Sequence, residues 1–250
     1  VAQMLQHQGV NYLAVAFADE GVLLRERGIR MPIVVLNADE GSFDLMVAHR
    51  LEPEIYNFRS LAFFSKAVER VGEESYPIHI KLDTGMHRLG FMEGELERLT
   101  ETLGETPSVK VATIFSHLNC SDMPQEDRYT REQIARFDRM SGRLAAALPY
   151  PVLRHTANSA AIERFPEAQF DMCRLGLGLY GFGFEHNDEL RPVSTLKSRI
   201  VQLKHLSAGE AVGYGRAGKL TRDSVTATVP MGYADGLDRH LGCGRWSMLV

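Results

Sequence analysis

The sequence is poor in cysteine. Cys120, Cys173 and Cys243 are the three in 250 residues. An odd number at wide spacing excludes a disulfide framework and fits a reducing compartment, so a cytoplasmic location is expected. No apolar run is long enough to span a bilayer, and the first residues lack the pattern of a secretory signal, so no membrane association is expected. Charge of one sign is not in excess. The net charge of −4 gives no reason to expect nucleic acid or an anionic surface as a partner. There is no internal repeat and no low-complexity linker. The first residue is Val rather than Met, which leads to the expectation of a fragment or a processed product.

What is present is ordinary globular composition, with 44% hydrophobic and 24% charged residues. Apolar strands alternate with amphipathic helices. Helices are expected at Val1–Gln8, Asp19–Arg27, Ser42–His49, Ser60–Val71 (capped by Ser60), Glu95–Leu103, Arg131–Leu148 and Ala160–Phe165. Strands are expected at Tyr12–Phe17, Pro32–Leu36, Ile55–Phe58, Ile78–Asp83, Val109–His117, Pro151–His155 and Met172–Leu175. This alternation implies βαβ units and a parallel sheet. With about seven units, it is one short of a (β/α)8 TIM-type barrel. The helix that opens the chain without a strand before it puts the missing unit at the front. An open doubly wound sheet is the alternative, but it needs a Gly-rich turn after an early strand, and none is visible. Around Pro192 the pattern changes. Ser198–Leu206, Val225–Val229 and Trp246–Val250 are strand-like with no helices between them. The expected organisation is an α/β barrel over 1–190, incomplete at its start, and the beginning of an all-β domain over 191–250.

One stretch stands out, Lys81-Leu82-Asp83-Thr84-Gly85-Met86-His87-Arg88-Leu89-Gly90-Phe91. Pro77-Ile78-His79-Ile80 lead into it as a strand. Lys81 and Asp83 then share a face, and Gly85 permits a turn that swings Arg88 back over the strand end. Taken alone, the stretch also reads as a solvated turn. It resembles the KxDTGMxRxG motif of bacterial alanine racemases, the fold type III enzymes that use pyridoxal phosphate (PLP). The resemblance extends to His117, His155-Thr156-Ala157-Asn158-Ser159, Arg174-Leu175-Gly176, Val212-Gly213-Tyr214-Gly215 and Pro230-Met231-Gly232-Tyr233-Ala234-Asp235-Gly236. Several matches in the same order are far more specific than any one.

In a (β/α)8 barrel, chemistry sits at the C-terminal strand ends and phosphates often bind after the last strands. Asn158-Ser159 and Gly176-Leu177 occupy those places. The resemblance implies that Ser159, Gly176 and Leu177 hold the PLP phosphate, although Ser159 also reads as a helix cap. Gly176 to Gly181 also matches G-x-G-x-x-G, but a polar loop follows where that fingerprint needs a helix. A dinucleotide site is therefore excluded. Arg174 is implied to face the pyridine nitrogen and keep it unprotonated, with His155 behind it; alone, His155 is as readily a core histidine.

Racemisation needs a base on each face of Cα. The resemblance implies a Schiff-base lysine for one and Tyr214 for the other, with Tyr214 donated across a homodimer interface and supported by His117. A Gly-Tyr-Gly alone would be read as a β-turn. Arg88 is implied to sit near the PLP phenolic oxygen and the substrate carboxylate. Lys81 is the position that in some members carries a carbamate and steadies Arg88. Tyr233 is implied to narrow substrate access. His117 and Cys120 have no further ligands at suitable spacing, so no metal is expected.

The departure from the family is the Schiff-base lysine. Lys66, Lys110, Lys197, Lys204 and Lys219 do not fit that role, and the later part of the β domain is not found. The expectation is an alanine racemase supplying D-alanine for peptidoglycan, represented by residues that by themselves do not racemise. The alternatives are a broader amino-acid racemase, a fold type III decarboxylase, a non-catalytic PLP-binding protein and a dimerising barrel scaffold. A substrate panel, carbon dioxide release and an absorbance band of bound PLP discriminate among them.

Overall fold

The computed structural model describes residues 1–242. Cys243 and the expected strand Trp246–Val250 lie outside the described residues. The chain falls into two compact units, Val1–Pro192 and Val193–Val250.

In the first unit, six strands form one all-parallel sheet in chain order: β1 (Leu13–Val15), β2 (Ile33–Val35), β3 (Glu52–Ile55), β4 (Tyr76–Lys81), β5 (Val109–Phe115) and β6 (Leu153–His155). Helices alternate with them: α1 (Ala2–His7), α2 (Ala18–Glu26), α3 (Phe43–Ala48), α4 (Phe58–Arg70), α5 (Leu96–Gly104), α6 (Asp127–Ala147) and α7 (Ser159–Arg164). This is the serial arrangement of a (β/α)8-type barrel, and the sheet covers six of its strands. The seventh expected strand, Met172–Leu175, does not form. Asp171 and Arg174 donate backbone N–H bonds to the Arg154 and Ala157 carbonyls (3.0 Å each), and no ladder develops from them.

The outer face of the sheet carries the apolar core. Ile33, Val35, Ile55, Ile78, Ile80, Val111 and Ile114 pack against Phe43, Met46, Leu61, Phe64, Leu99, Phe137 and Leu144 of the helices. Helix α4 shows why it forms. Leu61, Phe64, Ser65 and Val68 recur on one buried stripe. Asn57, rather than the expected Ser60, is its N-cap. Asn57 is extended, and its Oδ1 accepts the Ser60 N–H (2.7 Å), so Ser60 completes the capping box from inside the helix.

The inner face is different. Pairing places Glu54 beside His79, and Lys81 beside Phe115. A strand alternates faces, so Glu52, Glu54, His79 and Lys81 all point away from the helices. The β4–β5 register shifts between Ile78 and His79: Ile78 pairs with Val111, but His79 pairs with Thr113. The extra residue, Ala112, is a β-bulge that reverses the phase of β5. Val109 and Val111 stay in the helix-side core, while Thr113 and Phe115 turn to the interior. Barrel interiors are usually filled with branched apolar side chains, and this one is lined largely by polar groups.

At the end of β4 the chain loops out and returns. Asp83 N–H donates to the Phe91 carbonyl and Phe91 N–H to the Lys81 carbonyl (2.9 Å each). Gly90 has φ +129°, and a Cβ there would lie 2.6 Å from the Asp83 nitrogen, so only glycine closes this loop.

The second unit contains two antiparallel pairs: β7 (Gln202–Leu206) with β10 (Ser224–Thr228), and β8 (Ala211–Val212) with β9 (Gly218–Lys219). It holds the two expected site tyrosines. Tyr214 opens a short turn between Gly213 and Gly215, whose φ angles are +81° and +63°, and it is 93% exposed. Tyr233 is also exposed, with the Arg239 guanidinium 5.7 Å from its ring.

Candidate active site

The C-terminal ends of the strands open into a cavity of about 680 Å³. Lys81, Arg88, His117, Asn158, Ser159, Arg174, Gly176 and Leu177 all line it. The barrel unit therefore brings together every expected site residue it contains except His155, which lies behind Arg174. The cavity is built from this unit alone, whereas Tyr214 and Tyr233 belong to the second.

Arg174 is the centre of the site. Nη1 donates to His155 Nδ1 (2.8 Å) and to the His155 carbonyl (3.4 Å). Nη2 donates to the Ser116 carbonyl (2.7 Å), the Thr156 carbonyl (3.1 Å) and His117 Nδ1 (3.3 Å). The terminal N–H groups are thus committed, and Nε–H has no hydrogen-bond partner among the described residues. Enclosure pulls the guanidinium pKa down to about 10, against the opposing pull of Glu54. It remains a cation at neutral pH.

A guanidinium only donates, so both imidazole Nδ1 atoms must accept and both rings must be neutral. The environment enforces this. Burial lowers His117 to about 4, with further lowering from Arg174, Lys81 and Arg88. Burial and then Arg174 push His155 well below its ordinary value. His155 also stacks flat on Phe115, with ring centroids 5.0 Å apart.

The other end of the cavity is a cradle of N–H groups. Asn158 caps α7, accepting the Ala161 N–H (3.0 Å) and the Ser121 hydroxyl (2.8 Å) through Oδ1. Ser159 is therefore released from capping. Its Oγ accepts the Gly176 N–H (2.9 Å) and the Gly178 N–H (3.2 Å) instead. The serine oxygen thus satisfies two backbone donors at the cavity wall, and these N–H groups with the hydroxyl are the donor types that suit a phosphate once they turn from each other to it.

Lys81 turns to Glu54. Its Nζ lies 2.7 Å from Glu54 Oε1, and both side chains are buried. The contact is an ion pair rather than a directed hydrogen bond, and Glu54 Oε2 has no partner. Burial raises the Glu54 carboxyl, and Lys81, Arg174 and Arg88 oppose the rise. Asp83 does not meet Lys81. Burial works to raise its carboxyl, but donation from the Gly85 and His87 backbone and the His87 ring holds it below the ordinary range. Arg88 reaches the cavity from an exposed position.

Glu52, Glu54, His79 and Thr113 were not expected at the site. The available signal was the period-two spacing of polar residues within strands, Glu52/Glu54 and His79/Lys81. Pro53 and the apolar neighbours of His79 disguised it.

The neutral histidines make a pH prediction. Both bind protons less readily in the folded chain than in the unfolded one, so their contribution is complete above about pH 6.5 and is lost as the pH falls toward 4. For His117 the loss between about pH 7 and pH 5 is about 2 kcal/mol. His117→Gln keeps an acceptor for Arg174 and removes the titration. In urea unfolding it should lose less stability than the parent over that interval. Equal losses would contradict the assignment.

Comparison with known proteins places this geometry. A family model described as alanine racemase, N-terminal domain, matches residues 1–183, and one described as alanine racemase, C-terminal domain, matches residues 193–250. The alanine racemase of Sorangium cellulosum is 36% identical over 247 residues, covering 96% of this chain and 65% of that protein. The alanine racemase of Clostridium novyi is 35% identical over 249 residues, covering 96% of this chain and 64% of that protein. The chain thus spans slightly less than two thirds of the length of these curated relatives. Among solved structures, alanine racemase from D-cycloserine-producing Streptomyces lavendulae superposes with a TM-score of 0.87 at 28% identity, over 95% of this chain and 64% of that one. That of Clostridium difficile 630 gives 0.82 at 31% identity, over 95% and 63%. Two domain models matched in order, together with a polar-lined barrel cavity, establish that the chain belongs to the alanine racemase family.

Proposed function

We propose that this chain serves an alanine racemase, which interconverts L- and D-alanine with PLP held in the barrel cavity and supplies D-alanine for peptidoglycan. The observation that supports this best is the pairing of the Ser159–Gly176–Gly178 cradle with the free Nε–H of Arg174 in one cavity. The first suits a phosphate. The second suits a ring nitrogen that accepts and is not protonated. The residues present therefore fit PLP: Ser159, Gly176 and Leu177 for its phosphate, and Arg174 for its ring. Bound PLP supplies an electron-withdrawing ring that stabilises negative charge at the substrate Cα. Arg174, donating to the ring nitrogen without giving up its proton, would leave that ring a weaker electron sink than a protonated one.

The chain's own residues divide the remaining tasks. Arg88, exposed at the cavity, holds the substrate carboxylate through its planar fork. Neutral His117 keeps a second positive charge away from Arg174. Tyr214 Oη takes or returns the Cα proton on one face. A phenol ordinarily titrates at about 10, so it needs a donor or a cation beside it for that task. An exposed tyrosine on a glycine-flanked turn is suited to reaching a second copy of the chain, and the active form in this reading is a homodimer. Tyr233 narrows access to small amino acids.

The base for the opposite face is not among these side chains. Of the lysines in the barrel unit, Lys66 lies by Phe63 and Lys110 by Tyr150, and only Lys81 lines the cavity, where Glu54 holds it. The 250 residues should bind PLP reversibly, without fixation by borohydride, and should not racemise alanine. Ser159→Ala should weaken PLP binding by about tenfold in an absorbance titration, the scale of one hydrogen bond to a charged group. Racemisation by these residues would overturn the statement that the second base is absent from them, and undiminished binding by the variant would refute the phosphate assignment.

Lys81 should also remain a free ammonium. A carbamate there would place a second anion beside the buried Glu54. Carbon-13 NMR in labelled bicarbonate should show no carbamate signal that depends on Lys81; such a signal, lost in Lys81→Gln, would contradict this.

A further inference from the structure

The interior wall holds one continuous file of hydrogen bonds that extends well beyond the PLP-facing residues. Arg174 Nη1 bonds His155 Nδ1 at 2.8 Å, and His155 Nε2 lies 2.9 Å from Thr113 Oγ1. Thr113 Oγ1 is 2.8 Å from His79 Nδ1, and His79 Nε2 is 2.8 Å from Glu52 Oε2. The three middle members are buried, at 5%, 0% and 1% exposure. Glu52 ends the file at the opposite, N-terminal side of the sheet, where it lines a smaller cleft with Arg25, Arg50 and Tyr76.

With one proton on His79, the two ends fix the direction of every bond between them. Arg174 can only donate, so His155 Nδ1 accepts and its proton sits on Nε2. That proton goes to Thr113 Oγ1, whose own hydroxyl hydrogen is then given to His79 Nδ1. The His79 proton is therefore on Nε2 and is received by the Glu52 carboxylate, which only accepts. With one proton on His79 each group has one role; with two, His79 donates from both nitrogens and Thr113 Oγ1 accepts from both rings, and the nitrogen-15 spectra below separate the two cases. The β5 bulge is what makes the file possible. Without Ala112 as the extra residue, Thr113 would follow Val109 and Val111 to the helix side. The edge of the Tyr12 ring, 5.7 Å from His79, and the face of Phe115 hold the two imidazoles in place.

We propose that Glu52 and His79 are positioning residues for Arg174, acting through Thr113 and His155 to anchor the imidazole that receives the guanidinium. Glu52 is the acceptor at the far end, and His79, Thr113 and His155 join it to Arg174 through consecutive hydrogen bonds. The bearing of this on catalysis rests on the proposed PLP site, but the file itself does not.

The test reads tautomers directly. In the full protein with nitrogen-15-labelled histidine, long-range proton–nitrogen NMR should show both His155 and His79 bare at Nδ1 and protonated at Nε2. Glu52→Gln replaces the acceptor-only carboxylate at the end of the file with an uncharged amide that can also donate, and should shift the His155 ring nitrogens. Thr113→Val should leave the His155 Nε2–H without its acceptor and shift the His155 ring-nitrogen signals, and Thr113→Ser should restore them. Should Thr113→Val fail to fold, the parent and Glu52→Gln spectra decide. A proton on Nδ1 of His155, or His155 signals unmoved in Glu52→Gln, would overturn the proposal. These spectra need no PLP, so correct tautomers in a protein that does not bind PLP would count against the proposed function and leave this inference standing.

Discussion

An enclosed guanidinium has to be met by acceptors, and that requirement organises the interior of this barrel. Arg174 takes three backbone carbonyls and two imidazoles around its terminal nitrogens. The Ser116 and Thr156 carbonyls lie just past the ends of β5 and β6, and the His155 carbonyl, which also accepts the Ser116 N–H, belongs to the last residue of β6. The imidazoles can serve only while neutral. Burial and the cation they accept from both act in that direction, so the site holds its own protonation state. Removing one partner of such a group commonly costs about 3–5 kcal/mol, because a buried charge is left uncompensated.

Stability and function occupy opposite faces of one sheet. The helix-facing side carries Ile78, Ile80 and Ile114 against Phe64, Leu99 and Phe137, and that apolar layer supplies the driving force. The inner side spends part of it on Glu54, Lys81, His79 and His155. The bulge at Ala112 is where the two demands meet, because it lets one strand serve the core with its first half and the site with its second. At the mouth, Asn158 takes over capping so that Ser159 can gather the glycine N–H groups.

Much of this was legible in the sequence. The period of the apolar residues marked the helices, and the strand–helix alternation marked a parallel barrel. Arg174, Ser159, Gly176 and His117 could be found because their motifs resemble one family. What escaped has physical reasons. Buried carboxylates are rare and Pro53 sits between two of them, so β3 was expected three residues late, at Ile55–Phe58. A bulge leaves no compositional trace, and Thr113 was taken for an ordinary strand residue. Ser60 was expected as a cap because serine often is one, yet Asn57 holds that place, and Asn158 takes the cap that Ser159 also offered. Met172–Leu175 looks like a strand, but only two backbone bonds join it to its neighbour.

The central claim is that Arg174 and His155 are one unit, each held in place by the other. A double-mutant cycle measures this most directly, with Arg174→Met, His155→Leu and the pair compared by urea unfolding. The expected result is a coupling of about 1.5 kcal/mol or more, with the double variant less destabilised than the sum of the singles. Additivity within a few tenths of a kcal/mol would contradict it.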